Sequence, residues 1–324
     1  MIPALAILLA GCLLAPHLIG LRHARPTVAA TIWMTALTLR ALIVLFVAVY
    51  LVLYLPSTEL FVALTHWCWH TVLPLLTTHL GLEGHSVAGT AAILPAVVLA
   101  ASVISVSLGV VRAARVVRHM LLHGSLGPGP SDSLIIAGAE VMVAAAGIAH
   151  PRVVVSAGAL TKLDDEELAA GLDHERGHIE RRHRYLFVFA EICRGLARFV
   201  PGTRRVKQEL TFHLERDADR WALARRHDPF ALASAICKAA TDRASSGFAI
   251  ASLAGGSGVS DRLNELIDER PPLGGRLRQA LTRGIATLLI AVALALVAVL
   301  PATAAAGVSR MGTDPSSLIR HCED

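Results

Sequence analysis

The stretch His174-Glu175-Arg176-Gly177-His178 has the pattern H-E-x-x-H and lies in a run with helical signals. Two histidines four residues apart project from one face of a helix, so both imidazoles can reach a single ion. Zinc favours nitrogen ligands in tetrahedral geometry, and a catalytic zinc site keeps one position for water. Glu175 follows His174 and can act on that water as a general base. This stretch therefore predicts a zinc site with hydrolytic chemistry.

A second stretch, Glu215-Arg216-Asp217-Ala218-Asp219, supplies the third ligand that such a site needs, which is Glu215. The plainer alternative is a solvated helix face rich in Arg and Glu, with Asp219 in a surface salt bridge to Arg216 or Arg220. The pairing of the two stretches favours zinc. Their surroundings predict strands at 133–137, 141–145 and 152–156, a histidine-bearing helix from Asp164 or Asp165 as far as Phe199, and helices at 204–226, 229–244 and 260–269.

The rest of the chain is apolar in blocks. Hydrophobic residues make up 54% of the 324, and the mean hydropathy is +0.57. Each block is near the length of about 20 residues that a helix needs to cross a bilayer. The first block could instead be a signal peptide, but it lacks a basic leading region and an obvious cleavage site. The sequence thus predicts four membrane spans, at 2–20, 37–55, 91–111 and 284–306.

Basic residues orient these spans. No lysine or arginine occurs between 41 and 111, whereas arginines flank this interval on both sides. Because basic flanks face the cytoplasm, an even number of spans separates them. This places 56–90 outside, the hydrophilic block 112–283 in the cytoplasm, and the tail 307–324 outside. The domains are then a membrane region 1–111 with three helices, a cytoplasmic peptidase domain 112–283, a fourth transmembrane helix 284–306 and the tail.

The two motifs and the segment Gly147–Leu160 resemble the gluzincin membrane peptidases, and most of all the BlaR/MecR-type antirepressor metallopeptidases. The HtpX and CAAX prenyl-protease family is similar too. The resemblance covers 130–270 and implies a multi-pass α-helical membrane protein with a cytoplasmic α+β zincin domain. It implies Zn²⁺ held by His174, His178 and Glu215, with Glu175 as general base. It also implies that Asp219 braces a zinc-bound histidine.

Several further residues are candidates for lesser roles. Segment 140–147 is either an edge strand that binds an extended peptide or an ordinary strand with small packing residues. Arg262 resembles a downstream element of these peptidases and could stabilise a tetrahedral intermediate, but a solvated helix charge is the preferred interpretation. His183 and His227 are candidate oxyanion donors. In the outer loop, His66, Cys68 and His70 offer a second metal or pH-sensing site, against the simpler interpretation of interfacial aromatics with incidental histidines.

These features lead to a hypothesis with two alternatives. The first is a membrane zinc endopeptidase that cleaves a regulatory protein, for which the resemblance suggests a winged-helix repressor as partner. The alternatives are a quality-control protease of HtpX type and a non-catalytic zinc-binding receptor. The lipid bilayer is a further partner. Direct nucleic-acid binding is not expected, because the basic residues are scattered among acids without aromatic interleaving.

Overall fold

The computed structural model describes residues 11, 13–14, 16–18, 21–53, 84–147, 149–246, 258–267 and 276–313. Most of the predicted first span, and the part of the outer loop that carries His66, Cys68 and His70, lie outside these residues. The described chain is mostly helical. Its helices are α1 (Pro26–Leu53), α2 (Gly84–His123), α3 (Ala157–Lys162), α4 (Asp165–Glu180), α5 (His183–Leu196), α6 (Thr203–Leu223), α7 (Pro229–Ser246), α8 (Val259–Ile267) and α9 (Arg276–Thr313).

Three of these helices are long and apolar enough to cross a membrane. The apolar windows are Pro26–Val49 in α1, Ala100–Val117 in α2 and Ala280–Val299 in α9. Helix α1 begins eleven residues before the predicted span 37–55, because Val28 to Leu39 continue the apolar run. The windows in α2 and α9 are mostly exposed, with 6% and 17% of their residues buried. Helices with so many exposed apolar side chains are better accommodated by lipid than by water, so they indicate a membrane protein.

Four short strands form one sheet, in the order β1-β2-β4-β3. The strands are β1 (Ser125–Pro128), β2 (Leu134–Ile136), β3 (Val143–Ala146) and β4 (Arg152–Ser156). β2 and β4 are parallel, whereas the two outer pairings are antiparallel. Residues 125–128 pair with β2, and Gly129 has an extended backbone before a 3₁₀ turn at Pro130–Asp132.

The histidine-bearing helix α4 begins at a capping box. Asp164 accepts a hydrogen bond from the backbone N–H of Glu167, and the Glu167 carboxylate accepts one from the Asp164 N–H. Such a reciprocal pair satisfies two helix donors that would otherwise lack partners. The prediction that this helix continues to Phe199 was wrong. Arg182 adopts the left-handed conformation (φ 57°), which ends α4 and starts α5 in a new direction.

Close packing of α4 on α6 positions the two motifs. A Cβ atom on Gly177 would lie 3.0 Å from Cβ, Cγ and Cδ1 of Trp221, so a larger residue there would require the Trp221 side chain to shift. Most of α6 is buried, including every residue from Thr211 to Asp219. Its apolar residues Val206, Leu210 and Leu214 pack against α1 in the largest buried cluster. The second motif is therefore fixed between the first motif and the candidate membrane helix α1.

Candidate metal centre

Helices α4 and α6 bring the three predicted ligands together. The ligand atoms of His174, His178 and Glu215 all lie within 4.8 Å of one another, and all three side chains are buried. The two histidines present their Nε2 atoms to each other at 3.2 Å. Glu215 faces both rings, with Oε2 3.6 Å from Nε2 of His174 and Oε1 3.5 Å from Nε2 of His178. The three donors thus surround one point.

These separations can be compared with the needs of zinc. Two nitrogens that each bind zinc at about 2.0–2.1 Å in tetrahedral geometry are about 3.3 Å apart. The observed separations of 3.2, 3.5 and 3.6 Å lie near this value. Two imidazoles and one carboxylate are also a ligand set that catalytic zinc sites use. The residues present therefore fit a zinc ion.

The remaining nitrogen of His174 faces Asp219. Its Nδ1 lies 2.9 Å from Oδ1 of Asp219, and both side chains are buried. A carboxylate in this position fixes the tautomer and orientation of a metal-binding imidazole. The predicted bracing of a histidine by Asp219 thus agrees with the geometry. The alternative, a surface salt bridge to Arg216 or Arg220, does not, because Asp219 is 4% exposed.

Arg262 of α8 binds the same two acids. Its Nε and Nη2 donate to the two oxygens of Asp219 at 2.8 and 2.7 Å, and its Nη1 donates to Oε2 of Glu215 at 2.9 Å. The preference for a solvated Arg262 was therefore wrong, since this side chain is 7% exposed. Leu266, one helical turn further along α8, is buried too. Arg262 and Leu266 therefore lie on the same, inward face of α8.

His178 is oriented by a residue that sequence reasoning assigned to another role. Nδ1 of His178 lies 3.0 Å from Nδ1 of His183, and Nε2 of His183 lies 3.3 Å from Oδ2 of Asp217. A consistent proton assignment has His178 donating to His183 and His183 donating to Asp217. His183 contacts the side of His178 away from the other ligands, which favours a positioning role over an oxyanion donor. His227, the second oxyanion candidate, instead contacts Asp173 at 2.7 Å.

The candidate general base is held by the edge of the sheet. The Glu175 carboxylate accepts a hydrogen bond of 2.8 Å from the backbone N–H of Ala145 in β3. Among the described residues, β3 pairs only with β4, which confirms that 143–146 is an edge strand. An extended peptide can add to such an edge by main-chain hydrogen bonds. Glu175 is thus located where a peptide on β3 would lie.

Burial and charge set the protonation of the ligands. Burial lowers the pKa of His174, but Asp219 and Glu215 outweigh it and raise this pKa to about 10. For His178, burial lowers the pKa to about 3, so this ring is neutral as a metal ligand must be. A metal ion has to displace the proton from His174, and metal affinity therefore falls as the pH falls.

The acids of the site differ in the direction in which their pKa values are shifted. Burial alone would raise the pKa of Glu215 and of Asp219. Arg262 and the histidines have the larger, opposite effect, so both pKa values lie below their ordinary values, at about 2 for Asp219. Both groups are therefore ionised at neutral pH. Burial raises the pKa of Glu175 above its ordinary value, and neighbouring charges reverse this only in part. A raised pKa suits a carboxylate that takes up and returns a proton.

Replacing His183 with Ala is expected to weaken zinc binding by about 10- to 100-fold, because His178 loses the acceptor that fixes its tautomer. The zinc dissociation constant of the purified chain, measured by competition with a chelator, checks this. His227→Ala is the matched control, since it removes a partly buried imidazole that contacts Asp173 and does not contact the proposed metal ligands. Equal zinc affinity in His183→Ala and wild type would contradict the positioning role.

Comparison with known proteins bears on this geometry. Residues 114–202 match the model of peptidase family M48. The matched segment contains the sheet, α4 with both candidate histidine ligands, and α5, and it ends before Glu215. M48 peptidases are zinc metallopeptidases, so the match supports a metallopeptidase. Neither the comparison with curated proteins nor that with solved structures found a match.

Proposed function

We propose that this chain is an integral membrane zinc endopeptidase that hydrolyses peptide bonds of a cytoplasmic or membrane-proximal protein. The observation that carries this proposal is the convergence of His174, His178 and Glu215, with Glu175 beside them and hydrogen-bonded to the edge strand. The M48 match to the segment that contains α4 supports the same chemistry. A half-buried candidate base next to three candidate metal ligands favours an enzyme over a receptor that only binds zinc.

The proposed mechanism assigns each residue one task. When bound, zinc lowers the pKa of its water and polarises the scissile carbonyl. The edge strand β3 holds the substrate backbone, which places the scissile bond beside Glu175. Glu175 takes the proton from the attacking water and returns it to the leaving nitrogen. Asp219 and His183 keep the two histidines in the required orientation throughout.

Membrane placement is supported by the surface of α5. Its exposed positions are all apolar, namely Tyr185, Leu186, Phe189 and Ile192. The inner side of α5 packs against two candidate spans, with Ala190 and Cys193 in the α1 cluster and Gly195 in contact with Val106 of α2. By contrast, the exposed residues of α4 include Asp165, Glu166 and Glu180. The peptidase part thus lies against the bilayer, on the cytoplasmic side by the distribution of basic residues.

The substrate we favour is a regulatory protein such as a winged-helix repressor. This preference rests on the resemblance to antirepressor peptidases, and the edge strand β3 is compatible with a substrate that binds as an extended chain. A quality-control protease would use the same site on many membrane proteins. Trapping of substrates with a Glu175→Ala variant separates the two, because a regulatory enzyme retains one dominant target.

The metal assignment is tested by zinc content. Wild-type chain purified in detergent is expected to hold one zinc ion and to cleave casein, whereas Glu215→Ala is expected to lose both the ion and the cleavage. Glu209→Ala is the matched control, since Glu209 lies on the same helix but pairs with Arg22 away from the ligands. Stoichiometric zinc in Glu215→Ala, measured by mass spectrometry of the metal, would overturn the ligand assignment.

A further inference from the structure

A cavity lined by arginines lies beside the metal centre. It has a volume of ≈ 380 Å³ and is formed by the start of α1, the end of α4 and the second half of α6. The residues that line it include four arginines and one acid: Arg25, Arg181, Arg220, Arg225 and Asp217. None of these arginines contacts the proposed ligand atoms. The catalytic mechanism makes no use of this cavity.

The cavity carries an excess of positive charge. The acids nearest to Arg181, Arg220 and Arg225 lie 3.7, 3.7 and 3.9 Å away, which is beyond hydrogen-bond distance. Arg25 has no ion-pair partner among the residues that the structure describes. Burial lowers the pKa of the Arg220 guanidinium, and the positive charges of Arg216 and Arg25 lower it further, whereas Glu265 and Asp217 reverse this only in part. An anion in the cavity would relieve this repulsion.

The start of a long helix faces the same space. The cavity reaches Pro26 and Thr27, the first residues of the 28-residue helix α1, which has no acidic residue in its first turn. The start of a long helix carries a partial positive charge and favours anions. The indole ring of Trp221 also lines the cavity.

Trp221 also holds two of the arginines in place. The guanidinium carbons of Arg225 and Arg181 lie 4.0 and 5.4 Å from the centre of its ring. Cation–π contacts of this kind orient a planar guanidinium while leaving its N–H donors at the edge. Planar guanidinium groups bind phosphate oxygens in pairs, which ammonium groups do not. The lining therefore suits a phosphate-type anion.

Two contacts connect the cavity to the metal centre. Asp217, which lines the cavity next to Arg181, binds His183, and His183 in turn contacts the proposed ligand His178. Trp221 also packs against Gly177, the residue that precedes His178. An anion that draws Arg181 away from Asp217 would leave that carboxylate more strongly bound to His183. Occupancy of the cavity would then change how firmly His183 holds the His178 ring.

We propose that this cavity is a binding site for a phosphate-type anion and that its occupancy changes how firmly the metal is retained. The binding half is independent of the proposed function, whereas the coupling half rests on it. The phosphodiester headgroup of an anionic phospholipid and free inorganic phosphate share the required chemistry. The headgroup is favoured because the cavity lies at Pro26, where the candidate span Pro26–Val49 begins.

The binding half is tested on full-length chain in detergent, stripped of metal with a chelator. Calorimetric titration with short-chain phosphatidylglycerol is expected to give saturable binding, and short-chain phosphatidylcholine is expected to give none. The double variant Arg220→Gln/Arg225→Gln is expected to weaken the binding at least tenfold. The matched control is Arg204→Gln/Arg205→Gln, which removes two exposed arginines of the same helix outside the cavity and should bind as wild type does.

A parallel titration with inorganic phosphate separates the two sources. Binding of phosphatidylglycerol alone supports the headgroup, and binding of inorganic phosphate alone supports the free anion. In either case, anion binding must be weakened in Arg220→Gln/Arg225→Gln and must be unchanged in the control Arg204→Gln/Arg205→Gln. No saturable binding of either anion, or equal binding in wild type and the cavity variant, would overturn the site. Matching melting temperatures of the two double variants would show that both are folded.

The coupling half is tested by the rate at which a chelator removes zinc. Saturating anion is expected to change this rate several-fold in wild type and to leave it unchanged in Asp217→Asn, which interrupts the path to His183. An unchanged rate in wild type would overturn the coupling while the binding site stands. Failure of the proposed function would look different, because no zinc would then be bound at the start although the metal-free chain still bound the anion.

Discussion

Replacing Glu175 with Gln is expected to lower the kcat for peptide hydrolysis by about 10³-fold, since general acid–base catalysis contributes about 10²- to 10⁴-fold. Glutamine keeps the size of the side chain but cannot take the proton from water. It is not one of the three converging ligand residues, so the zinc content should stay at the wild-type value. Paired measurements of kcat and bound zinc on the purified chain check both expectations together.

Glu180→Gln is the control for this variant. Glu180 ends the same helix, is exposed, and lies outside the ligand set. Its replacement should leave both kcat and zinc unchanged. Wild-type turnover in Glu175→Gln would remove Glu175 from the mechanism, and loss of zinc in Glu175→Gln would show that its carboxylate supports the metal site instead. The two outcomes are therefore separable from the ligand test on Glu215.

The candidate metal site could be predicted from the sequence because two of its residues obey a short-range rule. His174 and His178 are one helical turn apart, so any helix through them brings both rings to one face. Glu215 was identified by its pairing with Asp219 in the second motif, and both residues lie at the site. The strands at 134–136, 143–146 and 152–156 were also predicted to within two residues, because β-branched and small residues there alternate with turn signals.

What the sequence did not predict depends on packing between distant segments. Arg262 is 43 residues from Asp219 in the chain, and nothing local shows that α8 folds over the site. The role of His183 likewise depends on the left-handed turn at Arg182, which redirects α5 so that His183 meets His178. Non-glycine residues adopt that conformation rarely, and a continuous helix was the simpler expectation. Both errors concern residues that surround the ligands, and neither concerns the ligands themselves.

Replacing Arg262 with Gln is expected to lower the free energy of unfolding of the metal-free chain by about 3–5 kcal/mol at pH 7, the usual cost of leaving a buried charge without its partner. Glu215 and Asp219 would share the site without the guanidinium that now binds both. Denaturant unfolding in detergent measures this loss. Arg22→Gln is the control, because that arginine is 54% exposed and its ion pairs should contribute at most about 1 kcal/mol.

The pH dependence of this loss has a definite sign. The folded-state pKa of Asp219 is about 2, below its ordinary value of 3.8, and Arg262 is a principal cause. A depressed carboxylate pKa stabilises the fold above the unfolded pKa, and that stabilisation disappears as the pH falls through the folded pKa. The difference between wild type and Arg262→Gln should therefore be largest at neutral pH and should shrink between about pH 4 and 2. A difference that stays constant over this range would show that Arg262 acts by packing alone.

Zinc should reduce the same difference. A divalent ion at His174, His178 and Glu215 supplies positive charge to Glu215, which partly replaces the lost guanidinium. The stabilisation that zinc gives should consequently be larger in Arg262→Gln than in wild type, since Arg262 no longer competes for Oε2 of Glu215. Unfolding curves of both chains with and without zinc test this. Equal stabilisation in the two would mean that Arg262 and the metal do not share the Glu215 carboxylate.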